Sequence, residues 1–172
     1  SNKRWLTQEE VNTAMDINDK NALGFHITGA FDKIYPIECC HLMHPLHNEI
    51  RNAIRDYGLQ HNLSFYDLRN QKGLLRDMVL RNSNTGEWML IMQFRFDEDG
   101  DEQRALDMME FIADQFPQIT SLMYVNNQKC NDTFGDLEVK TFRGNDHIFE
   151  TMEDLRFKVG PKSFYQTNTD QA

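Results

Sequence analysis

Glu87-Trp88-Met89-Leu90-Ile91-Met92-Gln93-Phe94-Arg95-Phe96 decides the fold class. Trp88, Leu90, Met92, Phe94 and Phe96 fall two residues apart, so an extended chain places them on one face. Upstream, residues 75–82 form a second strand-like run. The intervening Ser83-Asn84-Thr85-Gly86 has turn chemistry, which predicts a hairpin. Downstream, Ala105, Met108, Met109, Ile112 and Phe116 recur at helical spacing. They predict an amphipathic helix over 102–116 that Pro117 ends. Residues 119–126 read as the next strand.

The pattern continues in both directions. Residues 22–28 and 33–37 read as strands. Pro45 then opens a helix at a position where its missing N–H costs nothing. Leu46, Ile50, Ala53, Ile54 and Tyr57 carry that helix to about Gln60. Short strands are predicted near 137–142, 147–150 and 155–159. The middle of the chain thus runs strand, helix, strand, strand, helix, strand, the split β-α-β order of ferredoxin-like domains. The expected class is α+β: a mostly antiparallel sheet with two helices on one face, in ferredoxin-like (βαββαβ) order, plus extra short strands. Such a fold hosts many activities and names none.

A chain of 172 residues is most simply one domain with a substantial core. No apolar run approaches the ~20 residues a membrane helix needs, and the first residues lack the apolar segment of a secretory signal. Three cysteines, two of them adjacent, do not make a disulfide framework. That composition points to a reducing compartment, hence the cytoplasm. The net charge of −9 argues against a general polyanion binder. The charge is uneven, however. Asp97, Glu98, Asp99, Asp101 and Glu102 hold five acids in one short stretch, whereas Arg69, Lys72, Arg76 and Arg81 gather in one segment and Arg156, Lys158 and Lys162 in another. Any contact with a polyanion must therefore be local.

Four stretches invite a chemical reading. Cys39-Cys40-His41, with His44 and His47 close by, has zinc-ligand types at poor spacing; a buried thiol and a pair of histidines at a helix N-terminus is the plainer reading. Lys72-Gly73-Leu74-Leu75-Arg76, with Arg81, offers guanidinium groups to phosphate, or an ordinary solvated strand face balanced by Asp67 and Asp77. Asn126–Thr133 is a polar loop after a strand, suited to function or simply to turn formation; its Cys130 has no base beside it in sequence. Last comes Val159-Gly160-Pro161-Lys162-Ser163-Phe164-Tyr165-Gln166-Thr167-Asn168-Thr169-Asp170. Phe164, Gln166 and Asn168 alternate there, so one extended face would carry an aromatic and two amides. Such groups stack a flat base and hydrogen-bond its edge. Core packing and helix capping are the plainer alternative.

Several of these stretches fall in a familiar order. Gly24-Phe25-His26 with Phe31-Asp32-Lys33, Cys40-His41-Leu42, Gln71-Lys72-Gly73-Leu74-Leu75-Arg76, Asn131-Asp132-Thr133 and the segment 160–168 together resemble the RNA uracil-5-methyltransferases that use S-adenosylmethionine. The resemblance is nearest to the bacterial branch acting on 23S ribosomal RNA. It implies that residues 1–158 are the central RNA-recognition domain and that 159–172 begin the linker into a catalytic domain. It implies that Phe164 packs against a flipped uracil, that Gln166 lies near the base and the cofactor, and that Asn168 supports it. Arg76 and Arg81 become candidate RNA contacts, with ribosomal RNA as the partner. Cys40 matches the distal ligand of a four-iron, four-sulfur cluster in some members; the three upstream cysteines of that motif are absent, as is the N-terminal barrel of many members. The catalytic cysteine and the glycine-rich cofactor fingerprint are also absent, so this chain alone is expected to be inactive. The acidic stretch at 97–102 does not suit an RNA-facing surface. A free-standing RNA-binding module, or a purely structural α+β domain with the Trp88–Phe96 face as core, remain the other readings.

Overall fold

The structure, a computed structural model, describes residues 1–13 and 20–164. In chain order its elements are α1 (Gln8–Asn12), β1 (Phe25–Ile27), β2 (Ala30–Tyr35), α2 (Pro45–Gln60), β3 (Leu75–Asn82) and β4 (Trp88–Phe94). They continue with α3 (Asp101–Gln115), β5 (Ser121–Asn126), β6 (Lys140–Gly144), β7 (Ile148–Met152) and β8 (Leu155–Val159). The main sheet has the order β3-β4-β5-β6. β3 pairs antiparallel with β4, with Val79 opposite Ile91. β5 runs parallel to β4, with Ile91 opposite Met123, because α3 carries the chain back across the sheet before β5 begins. β6 then pairs antiparallel with β5.

The α+β class stands, but this strand order is not ferredoxin-like. The strand expected to precede α2 in the main sheet is β2, and it lies elsewhere. β2 pairs with β1 along one edge. Along its other edge it takes residues 3–5: the Ile34 N–H donates to the Lys3 carbonyl at 3.0 Å, and the Trp5 N–H donates to the Ile34 carbonyl at 2.7 Å. With both edges hydrogen-bonded, β2 has none left to join β3–β6.

The two long helices do share one face. Ile50 and Ile54 of α2, with Ala105, Met108, Met109 and Ile112 of α3, pack on Leu90, Met92, Phe94, Leu122 and Tyr124. On the opposite face, Met89, Ile91, Met123 and Val125 are covered by Ile148 and Val159 of the β7–β8 hairpin, with Phe134, Leu137 and Val139 packed alongside. Every residue of β4 is consequently buried. Each large apolar side chain so placed contributes about 1.5–3 kcal/mol. A sheet covered on both faces offers no exposed aromatic platform on its central strands, so the free-standing module of that kind is set aside.

The helix starts explain some of the unusual composition. The His44 ring Nδ1 accepts the Leu46 N–H at 3.2 Å and caps α2. α3 starts behind Gly100, which sits at φ 83° and has no side chain to cap with. Asp101, the first helical residue, instead closes the loop before it: its carboxylate accepts the N–H groups of Asp97 and Glu98, at 2.9 and 2.8 Å, and the Arg104 guanidinium at 2.6 Å. Part of the acidic stretch is thus a helix-start device, with its negative charges at the positive end of the helix dipole. α1 was not foreseen, although Thr7 and Glu10 form a reciprocal capping box. Among the described residues, no helix is long and apolar enough to cross a membrane.

Candidate nucleic-acid interface

The basic segment around β3 does not form one patch. Lys72 is exposed on the turn between Asp67 and Gly73. Arg76, at the start of β3, keeps only 1% of its side chain in contact with solvent. Its guanidinium lies over the Tyr66 ring, 4.6 Å from the centroid. It donates to the carbonyls of Asn127 and Lys129 at 2.7 Å each and of Asn131 at 2.6 Å, and to the Asp132 carboxylate at 3.2 Å. All the convergent acceptors come from the loop after β5. The same loop uses its own amides internally: Asn127 is buried, donates to the Gln93 side-chain oxygen at 3.0 Å and accepts the Lys129 N–H at 3.0 Å. Loop 127–132 is therefore a self-satisfied turn closed by Arg76. The open-phosphate geometry expected of Arg76 is corrected accordingly, because its donors are already engaged by protein carbonyls.

Arg81 sits near the other end of β3, opposite Met89 at the start of β4. It is half-buried, and burial disfavours its charged form. Its Nη1 donates to the Ser163 carbonyl at 2.9 Å. That bond anchors a turn. The Ser163 N–H donates to the Gly160 carbonyl at 3.1 Å, the Gly160 N–H donates to Ser163 Oγ at 3.1 Å, and Pro161 occupies the position that favours its fixed φ. Lys162 Nζ reaches the Leu137 carbonyl at 2.6 Å. Just before the turn, Val159 is buried against the sheet. The chain is thus pinned on both sides of Gly160, and the next side chain, Phe164, stands out 90% exposed. Two of the expected substrate-binding residues, Arg81 and Phe164, are brought within one turn of each other. Gln166 and Asn168 lie outside the described residues.

A second exposed aromatic group went unread in the sequence. Burial alternates along β2, so that Asp32 and Ile34 point inward while Phe31, Lys33 and Tyr35 point out. Phe25 of β1 lies directly opposite Tyr35. The signal was present as Phe31-x-Lys33-x-Tyr35, an aromatic-cation-aromatic alternation at strand period.

No family model matches the chain. Relatives do. A protein of Bacteroides thetaiotaomicron, named an uncharacterized RNA methyltransferase, is 55% identical over 172 residues, covering 100% of this chain and 38% of that protein. A Porphyromonas gingivalis protein of the same name is 49% identical over 177 residues, covering 100% of this chain and 37% of its own length. Along its whole length the chain is homologous to these proteins named RNA methyltransferases. It spans little more than a third of the length of the curated relatives it matches. Among solved structures, the Pyrococcus abyssi tRNA (uracil-54, C5)-methyltransferase in complex with S-adenosyl-L-homocysteine superposes with a TM-score of 0.61. The match covers 82% of this chain and 33% of that one at 24% identity, a likeness of fold.

The cofactors that such a methyltransferase segment implies were tested against its residues. For an iron–sulfur cluster the fit fails. All three cysteines are free; Cys39 and Cys130 are exposed and Cys40 is half-buried, so the buried thiol of the plainer sequence reading is also corrected. The segment 38–40 is instead strapped to α2. Asn48 accepts the Cys40 N–H at 2.9 Å, and Arg51 and Asn52 donate to the Glu38 carbonyl at 3.0 and 2.9 Å. His44 and His47 stand edge-on to Trp88, at 5.2 and 5.0 Å. Among the described residues, no group of three or more His, Cys, Asp or Glu could hold a metal ion, and a cluster needs four thiolates. For S-adenosylmethionine the comparison is with one cleft among the described residues. This cleft of about 230 Å³, lined in part by Gly24, His26, Tyr66, Asp77 and Asp132, falls short of the ~300–1,000 Å³ usual for such ligands.

Proposed function

We propose that this chain is the substrate-recognition part of an S-adenosylmethionine-dependent RNA uracil-5-methyltransferase acting on ribosomal RNA in the cytoplasm. Residues 1–158 form the recognition domain, and 159–172 open the link to the catalytic part of the same polypeptide. The observation that carries this reading is the pinned turn at Gly160–Ser163, which presents Phe164 to solvent. An exposed aromatic on a fixed backbone is what an extruded base needs. Extrusion costs a few kcal/mol, and stacking on an aromatic returns roughly 1–3 kcal/mol of it. Phe164 takes the stacking role. Gln166, a neutral amide that both donates and accepts, meets the uracil edge beside the cofactor, and Asn168 supports it. Arg81 positions the backbone that aims Phe164. Arg76 acts indirectly, by holding loop 127–132. S-adenosylmethionine supplies the electrophilic methyl group.

The test is transfer of label from S-adenosylmethionine to uracil-containing ribosomal RNA by the full-length protein. Phe164→Ala and Gln166→Ala are each expected to lower the rate by about tenfold or more, with cofactor binding intact. Rates within about twofold of the parent, worth only ~0.4 kcal/mol, overturn the assignment. The 172-residue chain alone is expected to transfer no label; turnover by it overturns the placement of the chemistry elsewhere.

A further inference from the structure

Resting on the RNA-recognition reading above, we infer that the β1–β2 hairpin is a second, stacking contact for a single-stranded segment of the RNA. Four aromatic side chains lie on or beside its outer face. Phe25, Phe31 and Tyr35 are 47%, 65% and 43% exposed. Trp5 joins them from the segment hydrogen-bonded to the other edge of β2, and Lys33 Nζ lies 5.3 Å from its ring centroid. The Arg69 guanidinium lies 5.5 Å from the Phe31 centroid. Aromatics of this size are seldom left in water without a partner, and these are grouped rather than scattered.

Chemistry and rigidity select the occupant. β2 is hydrogen-bonded along both edges, and its inward Asp32 is gripped by Arg69 and faced by Lys3 at 3.8 Å. The one acid on the strand is therefore turned away and neutralised by Arg69 and Lys3, leaving Lys33 as the cation that stands among the exposed rings. Side chains two apart on a strand stand roughly 7 Å apart. That is room for one splayed base per ring, with a cation between to meet the phosphate. This pairing of aromatic faces with cations is the recognition mode of unpaired strands. Duplex RNA hides its base faces and is read through its 2′-hydroxyls and phosphates instead.

The experiment measures binding of a labelled uracil-rich single-stranded 12-mer and of a duplex of equal length to the full-length protein across a salt series. Phe31→Ala and Tyr35→Ala are each expected to weaken single-strand binding by about tenfold and to leave duplex binding unchanged. Phe31→Leu keeps the apolar bulk without the ring and is expected to behave like Ala, whereas Phe31→Trp restores affinity. Lys33→Gln is expected to lower the slope of log affinity against log salt by about 0.7. Unchanged single-strand affinity in the Phe31 and Tyr35 variants overturns the inference, as does an equal loss on duplex. A lowered melting temperature with unchanged RNA affinity also overturns it, and assigns the face to another part of the polypeptide. If the parent protein methylates and binds RNA while these variants match it, only this inference falls. If the parent neither binds nor methylates RNA, the functional reading falls with it.

Discussion

Arg76 and Arg81 lie on one strand, roughly 16 Å apart along it, and put the same guanidinium to opposite uses. Arg76 is fully withdrawn from water and satisfies three backbone carbonyls and a carboxylate of a loop more than fifty residues away. Arg81 is half-buried, and its side chain makes one bond among the described residues, to the carbonyl immediately before Phe164. The difference shows what a cluster of basic residues in sequence leaves open. Five donors in a rigid fork suit phosphate, but they suit converging carbonyls equally well. Which use wins depends on whether distant segments deliver those carbonyls.

Removing each arginine breaks the comparison open. Arg76→Ala leaves several buried carbonyls without donors, and the expected loss is about 3 kcal/mol, read as a lower urea midpoint at unchanged slope. Arg76→Lys should recover less than half of that, because a single ammonium cannot span the acceptors. A loss below about 1 kcal/mol with a large loss of RNA affinity would mean that Arg76 faces RNA after all. Arg81→Ala is expected to cost only about 1 kcal/mol of stability but to lower methyl transfer by the full-length protein about tenfold, since the Phe164 backbone loses its tether. Equal effects of the two substitutions on stability would erase the distinction between a buried loop clamp and a junction tether.

Local periodicity made much of this fold legible. α2, α3 and the β3–β4 pair match the expected spans to within a few residues, because each carries a stripe or alternation bounded by Pro45, Pro117 or the Ser83–Gly86 turn. The second face of β4 was not legible. Met89 and Ile91 are as apolar as their neighbours, so the strand reads as a continuous run. The detachment of β2 from the main sheet rests on its pairing with residues 3–5, which no local pattern announces. The site divides in the same way. The turn at Gly160–Pro161 and the aromatic after it could be read from residue types. The fate of Arg76 could not, since its acceptors lie in loop 127–132. In sequence Asp67 reads only as a balancing charge. It accepts the N–H groups of Arg69 and Asn70 at 2.9 and 3.2 Å and the side chains of Asn2 and Lys3 at 3.2 and 3.1 Å. An Asp two and three residues before those N–H groups is a turn signature that could have been found.

The smallest expected effect compares the same two regions through their acids. Near the Arg76 end, burial alone would raise the Asp67 carboxyl. The N–H of Asn70, the side chains of Asn2 and Lys3 and the N–H of Arg69 outweigh that and hold it well below the usual carboxylate range. Near the Arg81 end, Glu150 of β7 is buried and, among the described residues, its carboxylate accepts only the Asn84 N–H, at 3.1 Å; burial prevails, and its carboxyl is raised. The signs therefore oppose. A lowered acid contributes stability that is present above its unfolded value, about 3.9 for Asp, and is lost as the pH falls toward the folded one. A raised acid contributes stability that is fully present below its unfolded value, about 4.3 for Glu, and is lost as the pH rises through the folded one. Lowering the pH from 7 toward 4.5 should thus first raise the melting temperature slightly as folded Glu150 takes up its proton, and further acidification below about 4 should lower it as Asp67 becomes protonated in the unfolded chain while staying charged in the folded one. Glu150→Gln keeps the acceptor for Asn84 without the charge. It should be slightly more stable than the parent at pH 7 and should flatten the first limb, leaving the second intact. Asp67→Asn should be less stable at pH 7 and should flatten the second limb. If Glu150→Gln flattens the acid limb instead, the two ends have been assigned the wrong way round.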